Sequence, residues 1–382
     1  MEISKYFDQS YLKIVASYYV PSSFIKVISK VSTGNINSTF LIQLSNNNEY
    51  KSFILQLVNQ DIFKKPKDII LNYLALQKYL DNLSKHQASP EISNNLIPKL
   101  LTKLGTDQYY LNYDKCFWRA FEYYDSTITK SRIESSSEAS DVGDKLGYFH
   151  YLLKNILAKD INNSLVNLHN IEYYLSLYDQ LCNSFEYSKE PDHIRDIIEQ
   201  LSYYIVKYRD KSLVLQHSIL KGQISMSHVH GDPKVSNFLF HSTTGKIVSI
   251  IDLDTLHYGH PIVDLADCIR SSCNRSGEEP MNINSSYLDI NFFSELLKSY
   301  CTSSKKILTK SDYDYLPYAI FSITFELALR FFVDFLSGNT YFNINYHHHN
   351  LYRSRVQFNL LDSIEAQWDT IRNTIDSFKD KL

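Results

Sequence analysis

Residues 228–267 constrain this 382-residue chain more than any other stretch. They run His-Val-His-Gly-Asp-Pro-Lys-Val-Ser-Asn, then a hairpin pattern, then Ile-Asp-Leu-Asp, and close on Asp-Leu-Ala-Asp. Pro233 keeps the segment from Asp232 to Asn237 out of a helix interior. Phe238 to His241 is a short apolar strand signal, and Ser242-Thr243-Thr244-Gly245 carries turn chemistry. Lys246 to Ile251 returns as a second apolar run that stops at Asp252. Antiparallel strands joined by a tight turn bring their outer ends together. The pattern therefore predicts Asn237 and Asp252 as neighbours in space, with Asp232 a few residues away.

An amide and two carboxylates in one place are hard oxygen donors, the kind that suit Mg²⁺. The same order of groups serves phosphoryl transfer, where an Asp orients the acceptor hydroxyl and takes its proton. Here that Asp is Asp232. Asn237 and Asp252 are expected to hold magnesium against nucleotide phosphates, with Asp254 as a second metal contact. Lys234 stands where it neutralises charge on the transferred phosphate. A polar loop before a surface hairpin would share one of these features. Asp232, Asn237, Asp252 and Asp264, in this order around a hairpin, share all of them. ATP and Mg²⁺ are thus the expected cofactors.

Composition removes several other classes. Net charge is −3, so no broad basic field exists to hold nucleic acid. The thirty tyrosines, without clustered Lys and Arg, read as core and pocket residues. The five cysteines are scattered and include no Cys-x-x-Cys pair, which indicates neither zinc nor a disulfide framework. Reduced thiols and a cytoplasmic location fit. Met1 to Tyr19 mixes charges among its apolar residues and lacks a signal-peptide core. Neither a nucleic-acid nor a membrane partner is expected, and the chain is expected as a monomer or weak dimer.

Residues 1 to 20 predict a short amphipathic helix. Residues 24 to 31, Phe40 to Leu44, and Lys51 to Val58 predict strands. Thr33-Gly34-Asn35 and Asn37-Ser38-Thr39 fall between the first two. Strand, small-residue loop, strand is the layout of a flap over phosphates, and equally of an ordinary hairpin. On the third strand, where kinases carry a phosphate-binding Lys, the matching position is Gln56. Lys51, Lys64, Lys65 and Lys67 are candidates to supply the charge, and the helix from Lys67 to Asn82 shows no clear Glu partner. Lys99 to Leu104 and Tyr109 to Tyr113 are expected to pair around Gly105. Cys116 to Tyr124 reads as a strand leaving the small lobe. Phe121, Glu122 and Tyr123 fall where a hinge would present backbone groups to adenine.

His230-Gly231-Asp232 with Asn237, and Ile251-Asp252 with Asp264-Leu265-Ala266, resemble the two motifs of the aminoglycoside phosphotransferase and choline kinase group. Ile251-Asp252-Leu253-Asp254-Thr255, Asp267-Cys268-Ile269-Arg270 and Gly34-Asn35-Ile36-Asn37-Ser38-Thr39-Phe40 look closer to the N-acetylhexosamine 1-kinases, which act on an anomeric hydroxyl. The resemblance covers most of the chain. It implies an α+β, protein-kinase-like fold of two lobes, a small β-rich lobe over residues 1–120 and a larger helical lobe over 121–382, with a hinge near 117–126. It also implies that Asp264 braces the catalytic loop by accepting hydrogen bonds, and it strengthens the flap reading of residues 33–39. The sugar 1-kinases also tend to carry Gln where Gln56 stands.

In the second lobe, helices are expected over 138 to 155, capped by Ser135, and over Asp192 to Ser218, with loops and a short helix between 156 and 190. His150 and His169 read as packing or surface residues. Residues 275 to 287 predict a polar loop at the site mouth. Tyr318 to Leu336 is almost wholly apolar, yet Glu326, Arg330 and Asp334 recur every fourth residue along one face. Three charges argue against a membrane span. The charges either satisfy one another or turn Arg330 towards a polyhydroxyl substrate. Residues 330–342 resemble the sugar-binding end of the N-acetylhexosamine 1-kinases, which implies Arg330 and Tyr341 as sugar contacts. His347-His348-His349 makes a poor chelate, because adjacent residues on a regular element point apart. A closing amphipathic helix is expected from Asn350 to Phe378.

The function expected is an ATP-dependent sugar kinase acting on a hexose or N-acetylhexosamine. An aminoglycoside or choline acceptor keeps the chemistry and would call for an acidic pocket, towards which only Glu278 and Glu279 point. A non-catalytic pseudokinase that binds a ligand is the reading of another class, and Gln56 is its one support.

Overall fold

The computed structural model describes residues 8–31, 36–45, 52–87, 96–162 and 167–379. Helix α1 (Gln9–Ala16) is followed by strands β1 (Ile25–Val31), β2 (Ser38–Leu44) and β3 (Ser52–Val58), then helix α2 (Pro66–Gln87). Strands β4 (Tyr110–Tyr113) and β5 (Cys116–Glu122) complete an antiparallel sheet in the order β1-β2-β3-β5-β4. Thr33, Gly34, Asn35 and Lys51 lie outside the described residues.

Strand parity decides what this sheet does. Successive side chains point to opposite faces. Phe40, Ile42, Phe53, Leu55, Trp118 and Ala120 point one way and form a buried cluster with Tyr11, Leu12, Val15 and Ala16 of α1. Thr39, Gln56 and Arg119 alternate with them and face the other side, towards the second lobe. Pro66 opens α2, where its missing N–H costs nothing, and α2 reaches down to the segment Leu253–Thr255.

The second lobe is helical. Helices α3 (Ser136–Leu153), α4 (Ile171–Ser184), α5 (Asp192–Ser212) and α6 (Val214–Leu220) precede the functional region. Strands β6 (Thr127–Ile128), β7 (Ser227–Val229), β8 (Phe238–His241), β9 (Ile247–Ile250) and β10 (His257–Gly259) form two small sheets, β6-β8-β9 and β7-β10. Helices α7 (Pro261–Ser272), α8 (Ile290–Ser303), α9 (Lys310–Leu336), α10 (His349–Ala366) and α11 (Trp368–Lys379) follow. Helix α9 is the axis of the lobe, buried on nearly every side and started by a reciprocal cap between Thr309 and Asp312. Helix α3 lies so close to α8 that a Cβ at Gly143 would stand 2.1 Å from the Leu296 carbonyl oxygen. Among the described residues, no helix is long and apolar enough to cross a membrane.

Several expected boundaries move. Lys99–Leu104 does not pair with Tyr109–Tyr113. Asp114 and Lys115 adopt positive φ, and that two-residue turn folds β4 directly onto β5. Leu100 and Leu101 instead bond to the last residues of β5, beyond β4, Leu101 N–H donating to the Ala120 carbonyl at 2.9 Å. The stretch from 156 to 190 holds a 14-residue helix, α4, whose first turn is capped by the Asn170 side chain. The long helices expected over 192–218 and 350–378 each break into two, at Leu213 and at Gln367. Helix α9 begins eight residues earlier than expected, with Pro317 inside it.

Candidate active site

Two ladders hold the functional region together. Val229 of β7 pairs with His257 of β10, and Phe238 of β8 pairs with Ile250 of β9. The loop 230–237 and the segment 251–256 therefore run side by side between fixed ends. Three bonds stitch them. Ile251 N–H donates to the Asn237 carbonyl at 2.9 Å, Thr255 Oγ1 donates to the His230 carbonyl at 2.8 Å, and His230 Nε2 lies 2.9 Å from the Ile251 carbonyl. Gly231 has φ +86°, and a Cβ there would meet the Thr255 carbonyl at 2.5 Å, so the seam admits only glycine.

Asp264, at the start of α7, anchors the loop from below. It is buried and accepts the main-chain N–H groups of His230 (2.6 Å) and Gly231 (2.9 Å). His150 from α3 touches the same carboxylate at 3.0 Å and is held in turn by the Tyr300 hydroxyl at 2.8 Å. Burial alone would raise the Asp264 carboxyl; the His150 and His230 contacts and the Gly231 amide outweigh it and hold it low. His150 is thus a packing residue, and what it packs is the brace of the loop.

Within the loop, Lys234 Nζ stands 2.6 Å from Asp232 Oδ2. Asn237 donates its amide nitrogen to the Asp232 carbonyl at 2.7 Å, which turns its amide oxygen away from Asp232. Burial would raise Asp232; Lys234, with His230 and Arg270 behind it, keeps its carboxyl below the usual range. Asp252 adopts left-handed backbone, φ 64° and ψ 53°, a sparsely populated region for a non-glycine residue. Asp252 as a residue is exposed. The protein crowded around the cleft, and the charge of Asp254, raise its carboxyl to about 6. Hard oxygens on Asn237 and Asp252, with a carboxyl held reluctantly charged, match what a small divalent cation relieves.

Asp254 is buried and otherwise engaged. Its carboxylate meets Arg119 Nη2 at 2.6 Å and accepts from Asn37 Nδ2 at 2.7 Å. Asn37 also accepts the Asn59 N–H at 2.9 Å, so its side chain ties the second strand to Asp254. Gln56 donates to Thr39 Oγ1 at 3.0 Å and accepts from Arg119 Nε and Nη2 at 2.9 and 2.6 Å. Arg119 was not foreseen as a site residue. The available signal was a single charge inside the otherwise apolar run Cys116-Phe117-Trp118-Arg119-Ala120-Phe121. Ser38 opens β2 opposite Leu57, away from this network. Phe121, Glu122 and Tyr123 sit half-buried at the end of β5, and Glu122 N–H is already donated to the Lys99 carbonyl at 2.9 Å.

On the other side of Asp232 lies α9. Of the two arrangements open to the charged stripe, mutual satisfaction of Glu326, Arg330 and Asp334 does not form. Arg330 Nη1 is 3.8 Å from Glu326, but Asp334 turns away and accepts the main-chain N–H groups of Thr340, Tyr341 and Phe342 at 2.9, 2.8 and 3.0 Å. Asp334 thereby folds the following loop back so that Tyr341 meets Arg330, hydroxyl to Nη2 at 3.4 Å. The Arg330 guanidinium lies over Tyr174, Tyr341 and Phe342 at 5.3, 5.6 and 5.6 Å. Glu326 is buried, and among the described residues neither carboxylate oxygen has a hydrogen-bond partner, although His169 Nδ1 approaches to 3.4 Å.

The mouth-loop acids are paired: Glu278 with Arg270 at 2.7 Å, and Glu279 with Arg353 at 2.5 Å. Two of the three consecutive histidines do converge, since their segment is an irregular loop. His347 and His348 both approach Glu190, at 3.6 and 2.9 Å, while His349 turns to Glu279.

A profile of the phosphotransferase enzyme family matches residues 27–288. Among solved structures, the chain is similar to an aminoglycoside phosphotransferase from Alicyclobacillus acidocaldarius, at 13% identity and a TM-score of 0.62 over 95% of each chain. It is similar to a choline kinase from Cryptosporidium parvum, at 11% identity and a TM-score of 0.61 over 97% of this chain and 99% of that one. A spectinomycin phosphotransferase solved with ADP and spectinomycin matches at 14% identity and a TM-score of 0.58, over 95% of this chain and 98% of that one. At such identities the likeness speaks for the fold, the two-lobed arrangement described above.

Proposed function

Because the chain belongs to the phosphotransferase enzyme family, we propose that it is an ATP- and Mg²⁺-dependent kinase of a small sugar, acting on the anomeric hydroxyl of a hexose or N-acetylhexosamine. The observation that carries the kinase reading is the loop 230–237, which sets Asp232, Lys234 and Asn237 against Asp252 across one backbone seam. The nucleotide would lie between the lobes, 1–120 and 121–382, with adenine at residues 121–123 and phosphates under residues 33–39. The five free cysteines suit a reducing compartment such as the cytoplasm.

In the reaction the acceptor oxygen bonds to the γ-phosphorus as the bond from that phosphorus to the bridging oxygen breaks. Asp232 orients the acceptor hydroxyl and receives its proton. Its carboxyl is held low, so it is ionised and ready at neutral pH; a loose transition state asks for orientation more than for a strong base. Lys234 screens the three oxygens of the moving phosphoryl group. Asn237 and Asp252 would hold Mg²⁺, whose bound charge offsets the leaving diphosphate.

The sugar reading rests on the acceptor side. A quaternary ammonium acceptor would want an empty aromatic cage. Here Tyr174, Tyr341 and Phe342 already surround the chain's own guanidinium, Arg330. A polycationic acceptor would want free carboxylates, and the acids at the mouth are ion-paired, Glu278 with Arg270, which also holds Asp267, and Glu279 with Arg353. What remains is a mixed set of donors and acceptors: Arg330, the Tyr341 hydroxyl, His169 and Glu326. That is the complement of a ring of hydroxyls. ADP release from ATP across a panel of hexoses, N-acetylhexosamines, aminoglycosides and choline tests the reading. Turnover confined to sugars with a free anomeric hydroxyl supports it; turnover with choline or aminoglycosides alone refutes it.

A further inference from the structure

We infer that Arg119 is the cation that grips the nucleotide phosphates, moved from the third strand of the small lobe to the neighbouring strand. The inference deepens the kinase reading and rests on it. In phosphotransferases of this architecture the task falls to a Lys on β3, paired with an acid on the adjoining helix. This chain has Gln56 there, and neither half of that ion pair is in its usual place.

Gln56 and Arg119 are direct partners in the β3–β5 ladder, so their side chains emerge on one face about 5 Å apart. That face is opposite the α1 cluster and looks into the cleft. The guanidinium is 1% exposed, and Arg cannot discharge when buried. Three contacts orient it. Nε and Nη2 both donate to Gln56 Oε1, Nη2 pairs with Asp254, and the face of Phe121 lies 4.9 Å from its centre. Asp254 thus takes the part of the helix acid, and Asn37 steadies Asp254 from the far side.

The third nitrogen decides the matter. Among the described residues, Arg119 Nη1 is sealed from solvent and donates to nothing. A buried N–H without an acceptor is a substantial cost, and a charged one more so. In this proposal a ligand oxygen fills the gap. The neighbours indicate which: Asp252 and Asp232 surround the cleft on one side and the proposed adenine end at Phe121 closes the other. Between a metal-bound γ-phosphate and an adenine lie the α- and β-phosphates. Gln56 then has a positive reason to be Gln, because a Lys at that position would repel the guanidinium it now supports.

The test is nucleotide binding measured calorimetrically, without turnover, for ATP, ADP and adenosine. Wild type should bind all three. Arg119→Gln should weaken ATP and ADP by about 10- to 100-fold, the size of a charge-assisted hydrogen bond, and leave adenosine within about twofold. The double variant Gln56→Lys with Arg119→Gln, which restores the cation on β3, should recover most of the ATP affinity, with thermal melting confirming that it folds. Equal loss for ATP and adenosine, or no loss for either, overturns the assignment of Arg119 while leaving the kinase reading in place. Wild type that binds no nucleotide at all overturns both.

Discussion

Lys234 Nζ lies 2.6 Å from Asp232 Oδ2, two residues along the same loop. The pair has a consequence in pH. In the proposed reaction Asp232 must be ionised to orient and accept, and Lys234 is the chief charge holding its carboxyl down against burial. In Lys234→Met that restraint goes, so the folded pKa rises and the acid limb of the kcat profile moves to higher pH. Turnover at neutral pH should also fall about a hundredfold, the scale of one lost transition-state charge contact. A rate profile against pH reads both effects; an acid limb that stays put contradicts the role given to Lys234.

Asp252 has the opposite shift. Crowding by the cleft walls first, and the charge of Asp254 second, raise its carboxyl to about 6. A proton there competes with a divalent cation, since only the ionised form binds metal. Apparent Mg²⁺ affinity should therefore weaken as pH falls through about 6 and level off above about 7. Mg²⁺ titration of initial rates at several pH values shows it. A flat dependence from about pH 5 to 8 would remove Asp252 from the metal site.

Asp264 is a matter of stability as much as of activity. Its buried carboxylate accepts two main-chain N–H groups and faces His150. Asp264→Ala leaves all of them without an acceptor, which should cost about 3 kcal/mol of folding free energy. Urea denaturation measures this directly. An unaltered midpoint would mean that the loop is held by its other seams alone.

The sequence made the hairpin readable because its logic is local. A proline, a turn cluster and two short apolar runs fix which ends must meet, and the bond from Ile251 to Asn237 is that meeting. Gln56 was readable as a gap. What filled the gap was not, because Arg119 lies 63 residues away in sequence and is brought there by the register of β3 against β5. The same holds for Asp334. Four-residue spacing with Arg330 suggested an ion pair on one helix face, but three main-chain amides of the next loop offered a better set of donors. The helix ends at Leu213 and Gln367 carry neither Gly nor Pro, so the sequence offers no local signal for them.

The role proposed for Arg330 separates the acceptor classes. Arg330→Met removes the guanidinium from among Tyr174, Tyr341 and Phe342. KM for the sugar should rise about 10- to 100-fold while KM for ATP stays put. The emptied aromatic box should also begin to accept choline weakly. Steady-state kinetics with each substrate varied in turn decides it, and a rise in KM for ATP alone would shift Arg330 to the nucleotide side.

The most direct test is Asp232→Asn, which keeps the shape of the side chain and removes its capacity to take a proton. ATP binding should stay within about twofold of wild type, while turnover of the proposed sugar acceptor falls by about a thousandfold or more. Turnover within tenfold of wild type, with ATP still bound, would contradict the assignment of Asp232 and with it the mechanism.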